Sequence, residues 1–119
     1  MKAEHESQID IENMIFTRRQ IDELWEKATP DSMRDPRMYR KDFAGAWIRR
    51  DRFGYQAPFG WTASRIKPLV KGGTNNMDNL VPCHWRNKRM KGADYPEFRT
   101  IITSSGTRNV AHMKSWKVG

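Results

Sequence analysis

The sequence contains a single cysteine, no long apolar run and a shortage of acidic residues relative to basic ones. With Cys83 alone, an internal disulfide is excluded, and so is a zinc ribbon, which needs Cys-x-x-Cys pairs. No window approaches the roughly 18 apolar residues of a membrane-spanning helix. The opening residues MKAEHESQID are polar and lack the apolar segment of a secretory signal. These absences predict a cytoplasmic protein without a membrane partner, and its 119 residues suit one domain.

The charge that is present is unevenly distributed. Residues 1–31 hold eight acidic and four basic residues (net −4), and residues 32–119 hold six acidic and eighteen basic residues (net +12), which sum to the formal +8. Most of those eighteen bases are arginines, whose guanidinium forms paired hydrogen bonds with phosphate. The basic region therefore predicts a polyanionic partner, and a merely solvated surface is the alternative.

The apolar pattern predicts a helix over residues 17–28 (TRRQIDELWEKA). Thr17 is a suitable N-cap, and from Ile21 onward apolar residues recur at i, i+3, i+4 and i+7. Residues 1–15 are expected to form an acidic arm outside a domain of residues 16–119. Within the arm, Ile11, Met14 and Ile15 are spaced as in a helix, and an irregular lead-in is the alternative.

The rest of the chain predicts short strands and one further helix. Residues 29–42, rich in proline and charge, are expected to form a loop. The predicted order after it is a strand within 45–54, a strand at 61–68, a glycine-rich turn at 71–78, a strand at 79–82, a helix at 83–92 and a hairpin at 97–116. The predicted fold class is α+β, with Trp47, Trp61 and Trp85 in the core.

Several segments in this order resemble the small bacterial and phage HNH endonucleases. The matching segments are GAWIRR (45–50), FGW (59–61), IKPLVKGG (66–73), DNLVP (78–82) and WRNKRMK (85–91). The resemblance runs from about residue 16 to residue 110, with its core motif at 59–92. It implies a ββα-metal core, a β-hairpin plus a helix, flanked by an N-terminal helix and a C-terminal β-hairpin.

The resemblance also implies a catalytic site, from which two members are missing. In the family, an Asp-His pair ends the first strand. The Asp and the last His or Asn of the motif bind one divalent metal (Mg, Mn, Ni or Zn), and the His activates water. Asn79 matches the central Asn, which orients that base, and Asn87 matches the last ligand. Ser64 and Arg65 stand at the Asp and His positions.

These substitutions change the chemistry expected of the site. A serine hydroxyl is a poor ligand for a hard cation, and an arginine stays protonated and cannot act as a general base. No cofactor is therefore expected, and Arg65 is predicted to bind phosphate in place of the metal, with drift at a retired site as the alternative. His84, one turn before Asn87, is the best alternative ligand or base, and a packed histidine is the structural alternative. Cys83 could supply a thiolate ligand, but a buried structural role is predicted for it.

Basic residues around the motif are the predicted nucleic-acid contacts. They are Arg65, Lys67, Lys71, Arg86, Lys88, Arg89 and Lys91. The leading interpretation is a nucleic-acid-binding protein, with DNA favoured over RNA, on a catalytically degenerate HNH scaffold. One alternative is an active metal-dependent endonuclease that uses His84 and Asn87. The other is a protein-interaction or inhibitor module that binds a partner through the acidic arm.

Overall fold

A computed structural model of the chain describes residues 9–11 and 14–119. Within these ranges there are two α-helices and four antiparallel strand pairs. The helices are α1 (Arg18–Glu26) and α2 (Trp85–Lys91), and the strands are β1 (Ile9–Ile11), β2 (Met14–Phe16), β3 (Tyr39–Lys41), β4 (Trp47–Arg49), β5 (Trp61–Arg65), β6 (Leu80–His84), β7 (Glu97–Ser105) and β8 (Arg108–Lys117). Each strand pairs with its neighbour in sequence, β1 with β2 through β7 with β8. The α+β class is confirmed.

Helix α1 forms where the apolar spacing predicts it. The Thr17 side chain accepts a hydrogen bond from the Gln20 backbone N–H while the Gln20 side chain bonds the Thr17 N–H, which completes a capping box. The helix buries Leu24 and Trp25 completely. Trp25 packs against Trp61 of β5 with ring centroids 5.5 Å apart. The predicted helix is therefore confirmed, and its buried face joins the main core.

The described residues before α1 form two paired strands, so the helical spacing of Ile11, Met14 and Ile15 was misleading. Residues Ile9–Ile11 pair with Met14–Phe16 in antiparallel register. Side chains in a strand alternate between faces, and here Ile15 is exposed while Phe16 is buried against Phe53. Most of the acidic arm, residues 1–8, 12 and 13, lies outside the described residues.

Strand β3 lies inside the segment that the sequence predicts as a loop. Tyr39–Lys41 pairs with Trp47–Arg49, and Thr29 forms a bridge to Lys41. The strand is short, and all its residues are half-buried. It therefore lacks the alternation of apolar and polar residues from which a strand is predicted. It forms because β4, which contains the buried Trp47 and Ile48, offers it a backbone edge.

Strands β5 and β6 form an antiparallel pair, and α2 follows β6 directly. Their register pairs Trp61 with His84 and Arg65 with Leu80. The connecting residues 66–79 fold back tightly, because a Cβ at Gly73 would lie 1.7 Å from the Lys67 carbonyl oxygen and only glycine fits there. The strand, turn, strand and helix follow in the predicted order, with β6 extending to His84 and α2 starting at Trp85.

The C-terminal hairpin is confirmed as β7 and β8, which pack against α2. Their register shifts between Thr100 and Ile102, which marks a β-bulge. Of the three predicted core tryptophans, Trp47 and Trp61 are fully buried, whereas Trp85 is only partly buried. No helix of the described residues is long and apolar enough to cross a membrane.

Candidate functional site

Ser64 and Arg65 lie at the end of β5, beside a surface pocket. We call it the Arg65 pocket; it measures about 320 Å³, and its lining residues are Ser64, Arg65, Pro68, Leu69, Val70, Lys88, Gly92 and Ala93. Ser64 is buried, whereas Arg65 is half-buried and donates from Nε to Asn75 Oδ1 at 2.7 Å. None of the lining residues is acidic, and two of them are cationic. Two cationic side chains and the Ser64 hydroxyl therefore line the same pocket.

Lys88, and not Asn87, is the residue of α2 that lines this pocket with Ser64 and Arg65. Lys88 is half-buried. Successive helical residues point about 100° apart, so a shift of one position changes the face completely. Asn87, which matches the last ligand position of the family motif, does not line this pocket.

Asn87 instead joins α2 to the bulge of β7. Its side chain is fully buried, and Oδ1 accepts from the backbone N–H groups of Ile101 at 2.9 Å and Ile102 at 2.7 Å. Its Nδ2 donates to the Ile102 carbonyl at 2.9 Å and to Asp42 Oδ2 at 3.1 Å. These four bonds use both amide protons and both oxygen lone pairs of the carboxamide. Asn87 therefore has no coordination capacity left for a metal.

Asp42 is a buried residue that the sequence analysis missed. Oδ1 accepts from the N–H groups of Ala44 and Ala46, and Oδ2 accepts from the His84 N–H and Asn87 Nδ2. Burial raises the pKa of Asp42 above its ordinary value, while these four donors act in the opposite direction. The only sequence signal is an aspartate followed by the small residues Ala44, Gly45 and Ala46, which is typical of a turn closed by its own side chain.

Asn79 holds the turn that follows Arg65. Its Oδ1 accepts from the Lys67 N–H at 2.9 Å, and its Nδ2 donates to the carbonyls of Lys67 at 2.9 Å and Thr74 at 2.7 Å. The carboxamide thus bridges both ends of the connection. Asn79 therefore fixes the loop that forms one wall of the Arg65 pocket.

His84 is turned to a different part of the surface. It is only 4% exposed, and its Nδ1 accepts from the Arg86 N–H at 3.1 Å. Burial, and secondarily the nearby Arg86 charge, lower the pKa of His84 to about 4. It lines a groove that shares no residue with the Arg65 pocket. The Nδ1 of His84 is therefore occupied by the Arg86 N–H, and His84 does not line the Arg65 pocket.

Cys83, also considered as a ligand, is fully buried. Burial raises the pKa of its thiol well above the ordinary value. The thiolate form is therefore suppressed, which matches the structural role predicted for it.

The predicted basic contacts divide between several surfaces. Lys71 and Arg89 are exposed, and the Arg89 guanidinium lies 4.8 Å from the centre of the Trp85 ring. Lys67 is half-buried near Tyr95. Arg86 is exposed but lines the groove of His84.

Lys91 departs from that prediction because it is only 3% exposed. Its ammonium group lies 5.1 Å from the centre of the Phe98 ring and donates to the Asp94 carbonyl at 3.3 Å. It lines a second, mostly apolar pocket of about 260 Å³ beneath Arg65. Lys91 is therefore part of the packing between α2 and β7 and not an exposed phosphate contact.

The donor set of the Arg65 pocket does not fit the divalent metal that the HNH resemblance implies. A neutral hydroxyl, a guanidinium and an ammonium group line it, and two of these repel a cation. Across the described part of the chain, no group of three or more His, Cys, Asp or Glu residues is arranged to hold a metal ion.

Comparison with known proteins identifies no relative: no family model, no curated protein and no solved structure matches this chain.

Proposed function

We propose that this chain is a nucleic-acid-binding protein on an HNH-type ββα core whose hydrolytic chemistry has been lost. The observation that supports this is the shared pocket of Ser64, Arg65 and Lys88 at the end of β5. Where the resemblance implies an acid and a base, the chain has a neutral serine and a cationic arginine, and Lys88 adds a second cation to the pocket. Such a pocket binds a phosphate without the means to cleave it.

These three side chains cannot supply the groups that phosphodiester hydrolysis requires. Arg65 stays protonated and cannot accept the proton of an attacking water. Ser64 and Lys88 cannot take the place of metal-binding ligands, so the leaving oxygen lacks Lewis-acid stabilisation. The absence of the general base alone costs about 10²–10⁴-fold in rate.

The surroundings of the pocket support a long polyanion as the ligand. Lys67 and Lys71 flank the loop that forms one wall of the pocket, and Arg89 lies on the outer face of α2. The resemblance places this helix against the DNA minor groove, where its bases contact phosphates rather than base edges. Duplex DNA is therefore the proposed ligand, and binding is expected to have little sequence preference.

We expect Arg65→Ala/Lys88→Ala to weaken binding to a short DNA duplex about tenfold or more, because two phosphate contacts are lost. The slope of log Kd against log salt concentration should fall by roughly two, which fluorescence anisotropy at several salt concentrations measures. Arg50→Ala/Arg99→Ala removes the same charge from two exposed positions outside the pocket and is the matched control. Equal effects of both double variants would show that only overall charge matters and would reject the pocket.

We expect the natural chain not to nick supercoiled plasmid with Mg²⁺, Mn²⁺ or Ni²⁺. The variant Ser64→Asp/Arg65→His/Lys88→Asn should nick it, because it restores the acid and the base and removes the Lys88 charge from the pocket. The variant Ser64→Asp/Arg65→His, which leaves the Lys88 charge in place, should be weaker. Metal-dependent nicking by the natural chain would overturn the proposal and favour the active endonuclease.

A further inference from the structure

An unassigned feature of the described surface is a groove of about 540 Å³ at the junction of β6 and α2. We call it the His84 groove; its lining residues are Arg34, 56–59, 84–86, Ile102 and 107–111. Its volume falls in the range of small-ligand sites. It is too small for a duplex but large enough for a single nucleotide unit.

The charged groups of the His84 groove are three arginines, and none of its lining residues is acidic. Arg34 is held in place, since Nη2 donates to the Thr107 carbonyl at 2.6 Å and its guanidinium lies 4.3 Å from the centre of the Tyr39 ring. Arg86 and Arg108 are exposed. A preorganised guanidinium with two more nearby favours an anionic group such as a phosphate.

The inner part of the groove is different, because it is apolar and contains one neutral donor. Phe59, Trp85 and Ile102 supply apolar surface, and the His84 ring lies nearly parallel to the Trp85 ring at 22°, with centroids 6.1 Å apart. Since the His84 Nδ1 accepts the Arg86 N–H, the ring proton is on Nε2. Among the described residues no acceptor takes this proton.

We propose that the His84 groove binds an unpaired nucleotide of a single strand, with its phosphate at the arginines and its base against the aromatic surface. The Nε2–H of the neutral His84 can donate to a carbonyl oxygen or a ring nitrogen of the base. A side chain that binds phosphate would instead be expected to be cationic. This site is separate from the Arg65 pocket and does not depend on the binding of a duplex there.

The test is a titration of the full chain with the dinucleotide pTpT, with inorganic phosphate as the comparison, monitored by the His84 and Trp85 side-chain resonances in NMR spectra. We expect pTpT to shift both resonances and to bind at least about tenfold more tightly than phosphate. Arg86→Ala/Arg108→Ala should raise the Kd for pTpT about tenfold, whereas Arg50→Ala/Arg99→Ala should change it less than about twofold.

A second variant separates recognition of the base from recognition of the phosphate. His84→Asn keeps an acceptor for the Arg86 N–H but, being shorter, has no donor at the position of Nε2, so it should weaken pTpT about fivefold and leave phosphate binding unchanged. Absence of a pTpT response at millimolar concentration, or equal binding of phosphate and pTpT, would overturn the proposal. Arg65→Ala/Lys88→Ala should leave pTpT binding intact, so failure of duplex binding and failure of this site are distinguishable.

Discussion

Asn87→Ala is expected to lower the free energy of unfolding by about 3–5 kcal/mol. The substitution leaves the N–H groups of Ile101 and Ile102 buried without an acceptor and removes a donor from Asp42. Each buried group left without its partner costs about 1–3 kcal/mol. The bulge of β7 would also lose its attachment to α2. Urea unfolding followed by tryptophan fluorescence measures the effect.

The matched control is Asn76→Ala, since Asn76 is exposed and its side chain makes no capping bond to the turn that it precedes. We expect this control to change stability by less than about 0.5 kcal/mol. A small effect of Asn87→Ala, combined with loss of a metal-dependent activity, would restore Asn87 as a functional ligand. A large loss of stability without such an activity identifies it as structural.

Acidification from pH 6.5 to pH 4 is expected to destabilise the chain through His84. The pKa of His84 is lowered to about 4 in the folded state, against roughly 6.5 when unfolded. Between these values the unfolded state binds a proton that the folded state excludes, so stability falls as the pH falls through this window. A shift of about 2.5 units corresponds to up to about 3 kcal/mol. Urea unfolding at a series of pH values measures the slope.

His84→Asn should flatten this pH dependence, because it keeps an acceptor for the Arg86 N–H and cannot titrate. The exposed His112 provides the control, and His112→Asn should keep the full slope. Asp42 contributes with the opposite sign, because its raised pKa makes the folded state bind more protons than the unfolded state. Its contribution is shared by all three proteins, so the difference between their slopes isolates His84. An unchanged slope in His84→Asn would show that His84 is not buried as a neutral group.

Local pattern alone determined several features of this protein. The Thr17 capping box and the apolar stripe of α1 depend on residues three and four apart, so the sequence displays them directly. The turn and β-rich flanks of 97–116 likewise predicted β7 and β8. The burial of Cys83 and the order of strand, turn, strand and helix in 61–92 also followed from the residues.

Only the tertiary structure decided which side chains meet. Strand β3 exists because β4 offers it a partner, and nothing in its own half-buried residues signals it. Lys88 lies beside Arg65 because the rotation of α2 is set by the bonds of Asn87 to a bulge in β7, a feature created by strand register. Such contacts join residues that are distant in sequence. The helical spacing within residues 83–92 therefore does not predict which side chains of α2 face β7. The sequence predicted α1, α2 and most of the strands, whereas docking of α2 against β7 decided that cations line the pocket at the end of β5.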